Sequence, residues 1–187
     1  MAIWQFNTEL LPIREVMKAY NGIVPKKLEI IEEIKQIEPS QDEQLQEKVE
    51  EMIDTFNLYW SESQLNIDSI IPLIDEMLGK TDFSGKDFYT WGKSDSNYIF
   101  IAFNEANRNI SRVEILIDLR YQPKKFVLEF LKLADIMKAV ILDVKGRLYE
   151  PKYNLLKESI EDSNAYKYVK NPNQFLTDLE SGKILPE

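Results

Sequence analysis

Between residues 86 and 121 the apolar side chains stop recurring at helical intervals and begin to alternate, and no other feature restricts the fold as much. "KDFYTWG", "NYIFIAFN" and "ISRVEILIDLRY" are three runs rich in aromatic and β-branched residues, which suit a pleated, half-buried surface. The connections "KSDS" and "EANRN" are short and polar, as hairpins require. Three such runs in succession predict an antiparallel meander. In the last run Val113, Ile115, Ile117 and Leu119 point one way, and Glu114, Leu116, Asp118 and Arg120 the other.

Helical intervals govern most of the rest. "AIWQF" (2–6) reads as a first strand, with Ile3 and Gln5 opposite Trp4 and Phe6, and Asn21-Gly22 marks a loop after it. "LEIIEEIKQIEP" places Ile30, Ile31, Ile34 and Ile37 on one helical side before Pro39, although so many isoleucines leave a strand open. The following helix is capped by Ser40 or Asp42 and buries Leu45, Val49, Met52, Ile53 and Phe56. In "NIDSIIPLIDEMLGK" Pro72 suits a first helical turn and Gly79 a stop.

After the meander, "QPKKFVLEFLKLADIMKA" is a helix begun by Pro123, and "AVILDV" is a strand. "KGR" is a turn, "LYE" a short returning strand, and "NLLKESIEDSNAY" and "NPNQFLTDLESGK" are closing helices. This order predicts an α+β fold in one domain, 1–187. Its sheet is mainly antiparallel, a three-stranded meander plus one to three further strands. Helices pack on one face, and an acidic helical segment lies at about 28–60.

The chain has no cysteine and no histidine. Disulfide frameworks, thiolate zinc sites and Ser-His-Asp catalysis are thereby excluded. Ser84-Gly85-Lys86 lacks the spacing of a phosphate loop, and neither a cofactor nor a metal is expected outside the hydrolase alternative raised by Asp118, Asp143 and Lys145. "MAIWQFNTELLPIREV" has no basic segment followed by a clean apolar run, and no stretch approaches the roughly 18 apolar residues of a membrane span. A cytoplasmic protein with no membrane partner is expected.

Charge narrows the partners further. Residues 29–54 hold ten acidic side chains against Lys35 and Lys48, a net of −8 within a chain whose total is −9. A polyanion would be repelled, so nucleic acid is not expected, and a basic protein is the easier partner. Glu43, Glu47, Glu50, Glu51 and Asp54 are the carboxylates best placed on the polar side of the helix to meet it.

Asp118 and Arg120, two apart on one strand, admit three readings: a structural ion pair, a partner contact joined by Glu114, and catalysis. Tyr89 or Trp91 of the neighbouring strand would join that row in one register. In the catalytic reading, Asp118 with Asp143 and Lys145 would hold a magnesium ion for hydrolysis of a phosphodiester. Trp4, Trp60 and Trp91 read as core or core-edge aromatics.

From about Trp91 to Phe175 the chain also resembles a known kind of protein. "TWGKSDSNYIFIAF", "VEILIDLR", "LADIM", "AVILDV" and "SNAYKYVKNPNQFL" are together similar to small, uncharacterised bacterial proteins of the immunity type, associated with polymorphic toxin systems. The resemblance implies a non-enzymatic protein that neutralises a toxin domain by direct binding, and it brings no catalytic residues. Residues 29–54 lie outside it. Charge and resemblance together predict a cytoplasmic binding protein with a basic partner, and the metal-dependent hydrolase is the alternative.

Overall fold

The computed structural model describes residues 4–37, 42–80, 83–93, 95–121 and 123–184, with the side chains of Glu32, Lys35 and Asp42 excepted. The strands are β1 (Gln5–Pro12), β2 (Phe83–Ser84), β3 (Phe88–Gly92), β4 (Tyr98–Phe103), β5 (Ile110–Asp118), β6 (Ala139–Asp143) and β7 (Leu148–Tyr149). The helices are α1 (Ile13–Ala19), α2 (Glu29–Gln36), α3 (Asp42–Ser63), α4 (Ile71–Leu78), α5 (Lys124–Ile136), α6 (Tyr153–Asp162), α7 (Asn164–Lys170) and α8 (Pro172–Glu180).

All seven strands form one antiparallel sheet in the order β2-β3-β4-β5-β1-β6-β7, so the fold is α+β with the predicted meander at β3-β4-β5. The two-residue strand β2 is an addition to the predicted set. The first strand starts later and runs further than "AIWQF": it begins at Gln5 and continues to Pro12. Ile3, Ser40 and Pro39, to which a strand residue, a cap and a helix stop were assigned, lie outside the described residues, as does the side chain of Asp42. The segment with many isoleucines is helix α2, and the predicted helix 154–166 is broken at Ser163, whose side chain caps α7 by accepting the Tyr166 N–H.

β1 lies between β5 and β6, and its registers fix the two faces of the sheet. Phe6 pairs with Ile117 and Thr8 with Ile115, while Leu10 pairs with Ile141. These residues, with Ile99, Ile101 and Val113, face the larger core, where α4, α5 and α6 contribute Ile74, Val127, Phe130, Leu131 and Leu156. Leu11, Val140 and Leu142 point the other way by the alternation of a strand. Phe56 and Tyr59 of α3 cover them, with Ile30 and Ile31 of α2 packed alongside. Helical cover therefore extends from the predicted face to the second face at the β1-β6 end. Burial of these side chains is the main source of stability, at roughly 25 cal/mol per Å² of apolar surface.

Trp60 locks α3 to the sheet. The β1-β5 register runs from Gln5↔Asp118 to Glu9↔Glu114, and just beyond it the Leu10 carbonyl accepts the Trp60 indole N–H at 2.9 Å. Trp60 and Trp91 are each 1% exposed, as core aromatics, whereas Trp4 is half-buried at the sheet end.

Candidate functional site

The acidic surface is built by α3. Glu43, Glu47, Glu50 and Asp54 follow one another at intervals of four, three and four residues, so they project from one side of the helix. All four are exposed. The opposite side carries Val49, Met52 and Phe56, which line an open groove of about 290 Å³ against Ile31, Ile34 and Leu142. Glu51 belongs elsewhere: Lys48 Nζ donates to Glu51 and to Glu33 of α2, at 2.9 Å each, and ties the two helices together. Those contacts raise the Lys48 ammonium above its ordinary value. Glu50 accepts the Gln46 amide at 3.1 Å.

Beneath α3 the sheet carries a second set of charges. Glu9 and Glu114 are directly opposite in the β1-β5 register, and Arg112 Nη2 reaches both, at 2.9 Å and 2.7 Å. Burial raises the Glu9 carboxyl, and the Arg112 guanidinium only partly offsets it. Glu114 is thus the base of a three-residue cluster. Its side chain is 20% exposed. Beyond it, Phe100 stacks on Phe88, and Phe83 at the sheet edge is 63% exposed.

Asp118 and Arg120 do not share a strand, because β5 ends at Asp118 and residues Leu119–Tyr121 form a 3-10 turn. They still meet. The Asp118 carboxylate is fully buried and accepts the Arg120 backbone N–H at 2.9 Å, Nε at 3.0 Å and Nη2 at 2.7 Å. Burial would raise this carboxyl, but the Arg120 bonds outweigh it and hold it below its ordinary value. The guanidinium in turn lies 4.4 Å from the Trp4 ring centre and 5.1 Å from that of Tyr121, and it donates to the Asp95 carbonyl. Of the predicted row, Arg120 is the most exposed member, at 36%, against 20% for Glu114 and none for Asp118, which acts by holding Arg120. Tyr89 and Trp91 do not join the row: they pair with Ile101 and Ile99 and face the large core.

The hydrolase set is not assembled. Asp118 pairs with Gln5 of β1 and Asp143 with Thr8, an odd separation, so the two carboxylates project from opposite faces of the sheet. Asp143 is enclosed by donors, namely the backbone N–H groups of Lys145 and Arg147, Arg147 Nε and Ser159 Oγ. Lys145 Nζ bonds the carbonyl and carboxylate of Asp162 at the end of α6. Among the described residues no group of three carboxylates could hold a metal ion, and no helix is long and apolar enough to cross a membrane.

Comparison of this chain with models of protein families, with curated protein sequences and with solved structures finds no match. Its own residues carry the functional reading. Two features escaped the sequence pattern. Glu9 and Arg112 are charges within apolar strands, a signal visible in "TELLP" and "ISRVEI" but silent about their pairing. The Trp4-Arg120-Tyr121 stack joins the two ends of β1 and β5, which no local pattern predicts.

Proposed function

We propose that this protein is a non-enzymatic binding protein that captures a basic protein partner through the outer side of α3, and that the partner is the toxin of an immunity pair. The observation that carries the reading is the stripe Glu43, Glu47, Glu50 and Asp54. Among the described residues no lysine or arginine pairs with these four carboxylates, while the one cation of α3, Lys48, is engaged on another side. Such a stripe costs little stability and supplies a field that accelerates encounter with a cationic surface. Arg120, between two aromatic rings, adds the side-chain types that dominate interface energies. A bacterial source and a cytoplasmic address, where an antidote waits for its toxin, belong to the same proposal.

The test is co-expression with the basic C-terminal domain of the protein encoded beside it, followed by titration calorimetry at low and high salt. Inhibition of the toxin is expected, with affinity falling about tenfold or more between roughly 50 and 300 mM salt. Changing Glu43, Glu47, Glu50 and Asp54 to Lys should abolish binding while the circular dichroism is retained. A toxin that stays fully active, or binding indifferent to both salt and the four substitutions, would refute it.

A further inference from the structure

On the opposite side of the molecule from α3 the charge changes sign. Residues 121–128 carry Lys124 and Lys125 and no acidic side chain. Lys124 and Lys125 occupy the first turn of α5, whose N-cap Pro123 makes no side-chain cap bond. Cations there oppose the positive end of the helix, an arrangement that an anion relieves. Beside that turn an open groove of about 320 Å³ runs between α5 and α6. Val127 and Leu156 form its buried floor, Tyr153 and Tyr166 its walls, and Lys124, Lys157 and Glu161 its rim, which leaves a net positive charge. Lys157 has a counterion in Glu161 at 3.6 Å, a loose and exposed pair. Lys170 lies over the Tyr166 ring, adding a further cation to that wall.

From this we infer that the α5-α6 groove is a second binding site, for an acidic peptide segment that inserts one aliphatic or aromatic side chain between Tyr153 and Tyr166. The volume is at the lower end of small-molecule pockets, which suits a single bulky anchor better than a cofactor. Tyr153, 48% exposed, and Tyr166 give the groove the aromatic composition of an interface centre. The lysines supply the complement to the acidic flanks of such a segment. This site is independent of the α3 surface, and its ligand has the opposite charge.

A random-peptide display library selected against the full chain tests it, with the enriched peptides then measured by fluorescence polarisation. Peptides with acidic residues flanking one aliphatic or aromatic position are expected. Their affinity should fall about tenfold in Lys124→Glu/Lys157→Glu and about fivefold in Tyr153→Ala. It should stay within about twofold in Glu47→Lys/Glu50→Lys. All five side chains are exposed, and near-ultraviolet circular dichroism verifies each variant. Enrichment of basic peptides alone, dependent on Glu47 and Glu50, would overturn the groove proposal and leave the α3 proposal standing. No enrichment, or acidic peptides indifferent to the groove substitutions, would overturn it as well.

Discussion

Replacing Asp143 by Asn separates a structural turn from a metal ligand, and the size of the effect follows from the bonds it disturbs. Asp143 is 3% exposed. One carboxylate oxygen accepts the N–H groups of Lys145 at 2.9 Å and Arg147 at 3.0 Å, and the other accepts Arg147 Nε at 2.7 Å and Ser159 Oγ at 2.5 Å. Asparagine keeps one oxygen for the two backbone donors and turns an NH₂ toward the other two. Ser159 can rotate to accept from it; Arg147 has no acceptor to offer. One charge-assisted bond is lost, about 1.5–3 kcal/mol, with a smaller loss as the turn bonds become neutral.

The cost stays below the roughly 3–5 kcal/mol of a fully broken buried pair, because Asp162 still balances Arg147 at 2.9 Å. We expect a loss of about 2–3 kcal/mol, equivalent to a fall in Tm of roughly 4–12 °C for a domain of this length. Urea unfolding followed by the fluorescence of the buried Trp60 and Trp91 measures it. A change under about 0.5 kcal/mol would refute the structural role. A gain in stability would point instead to a carboxylate kept for chemistry, since relieving a functional site commonly stabilises.

Trp60→Phe should cost about 1–2 kcal/mol in the same assay, because it leaves the buried Leu10 carbonyl without its 2.9 Å indole donor. Gly146→Ala should lower the melting temperature, since Gly146 has φ +79 and an added Cβ would lie 2.9 Å from Ile31 Cγ2 of α2. Acid should expose two opposed groups. Asp118, held low by Arg120 against the effect of burial, and Asp162, held low by Lys145, contribute stability at neutral pH that is lost as pH falls below about 3.9. Glu9, raised by burial, acts in reverse: its contribution is complete below about 4.3 and disappears as pH rises through its folded value. Urea midpoints measured from pH 3 to pH 7, in steps of about 0.5, should therefore rise on Glu9→Gln near neutrality. An unchanged pH profile in that variant would count against the half-buried cluster.

Element types were largely legible because each is written in the spacing of neighbouring residues. Alternation in "NYIFIAF" gave β4, and Pro123 with a helical apolar side gave α5. The acidic stripe of α3 was legible for the same reason, since Leu45, Val49 and Phe56 fix which side is outward. Where a rule of alternation was carried past the end of an element it failed. Arg120 was placed on the strand, but the chain turns at Leu119, and Asp118 meets Arg120 through that turn. Whether Tyr89 or Trp91 joins the acidic row stays open in the sequence, because register between strands has no local signature; the pairing with Ile101 and Ile99 decides it.

Taken alone, the amino-acid order determined the α+β class, the meander, most of the helices and the concentration of negative charge in residues 29–54. These follow from backbone periodicity and turn chemistry within a few residues. The tertiary structure decided what lies next to what. It inserted β1 between β5 and β6, which sent Asp118 and Asp143 to opposite faces and set the half-buried Glu9 beside Arg112 and Glu114. It also brought Lys124 and Lys157 to one groove. Such neighbours depend on pairing and packing between residues distant in sequence, whose energies no local pattern records.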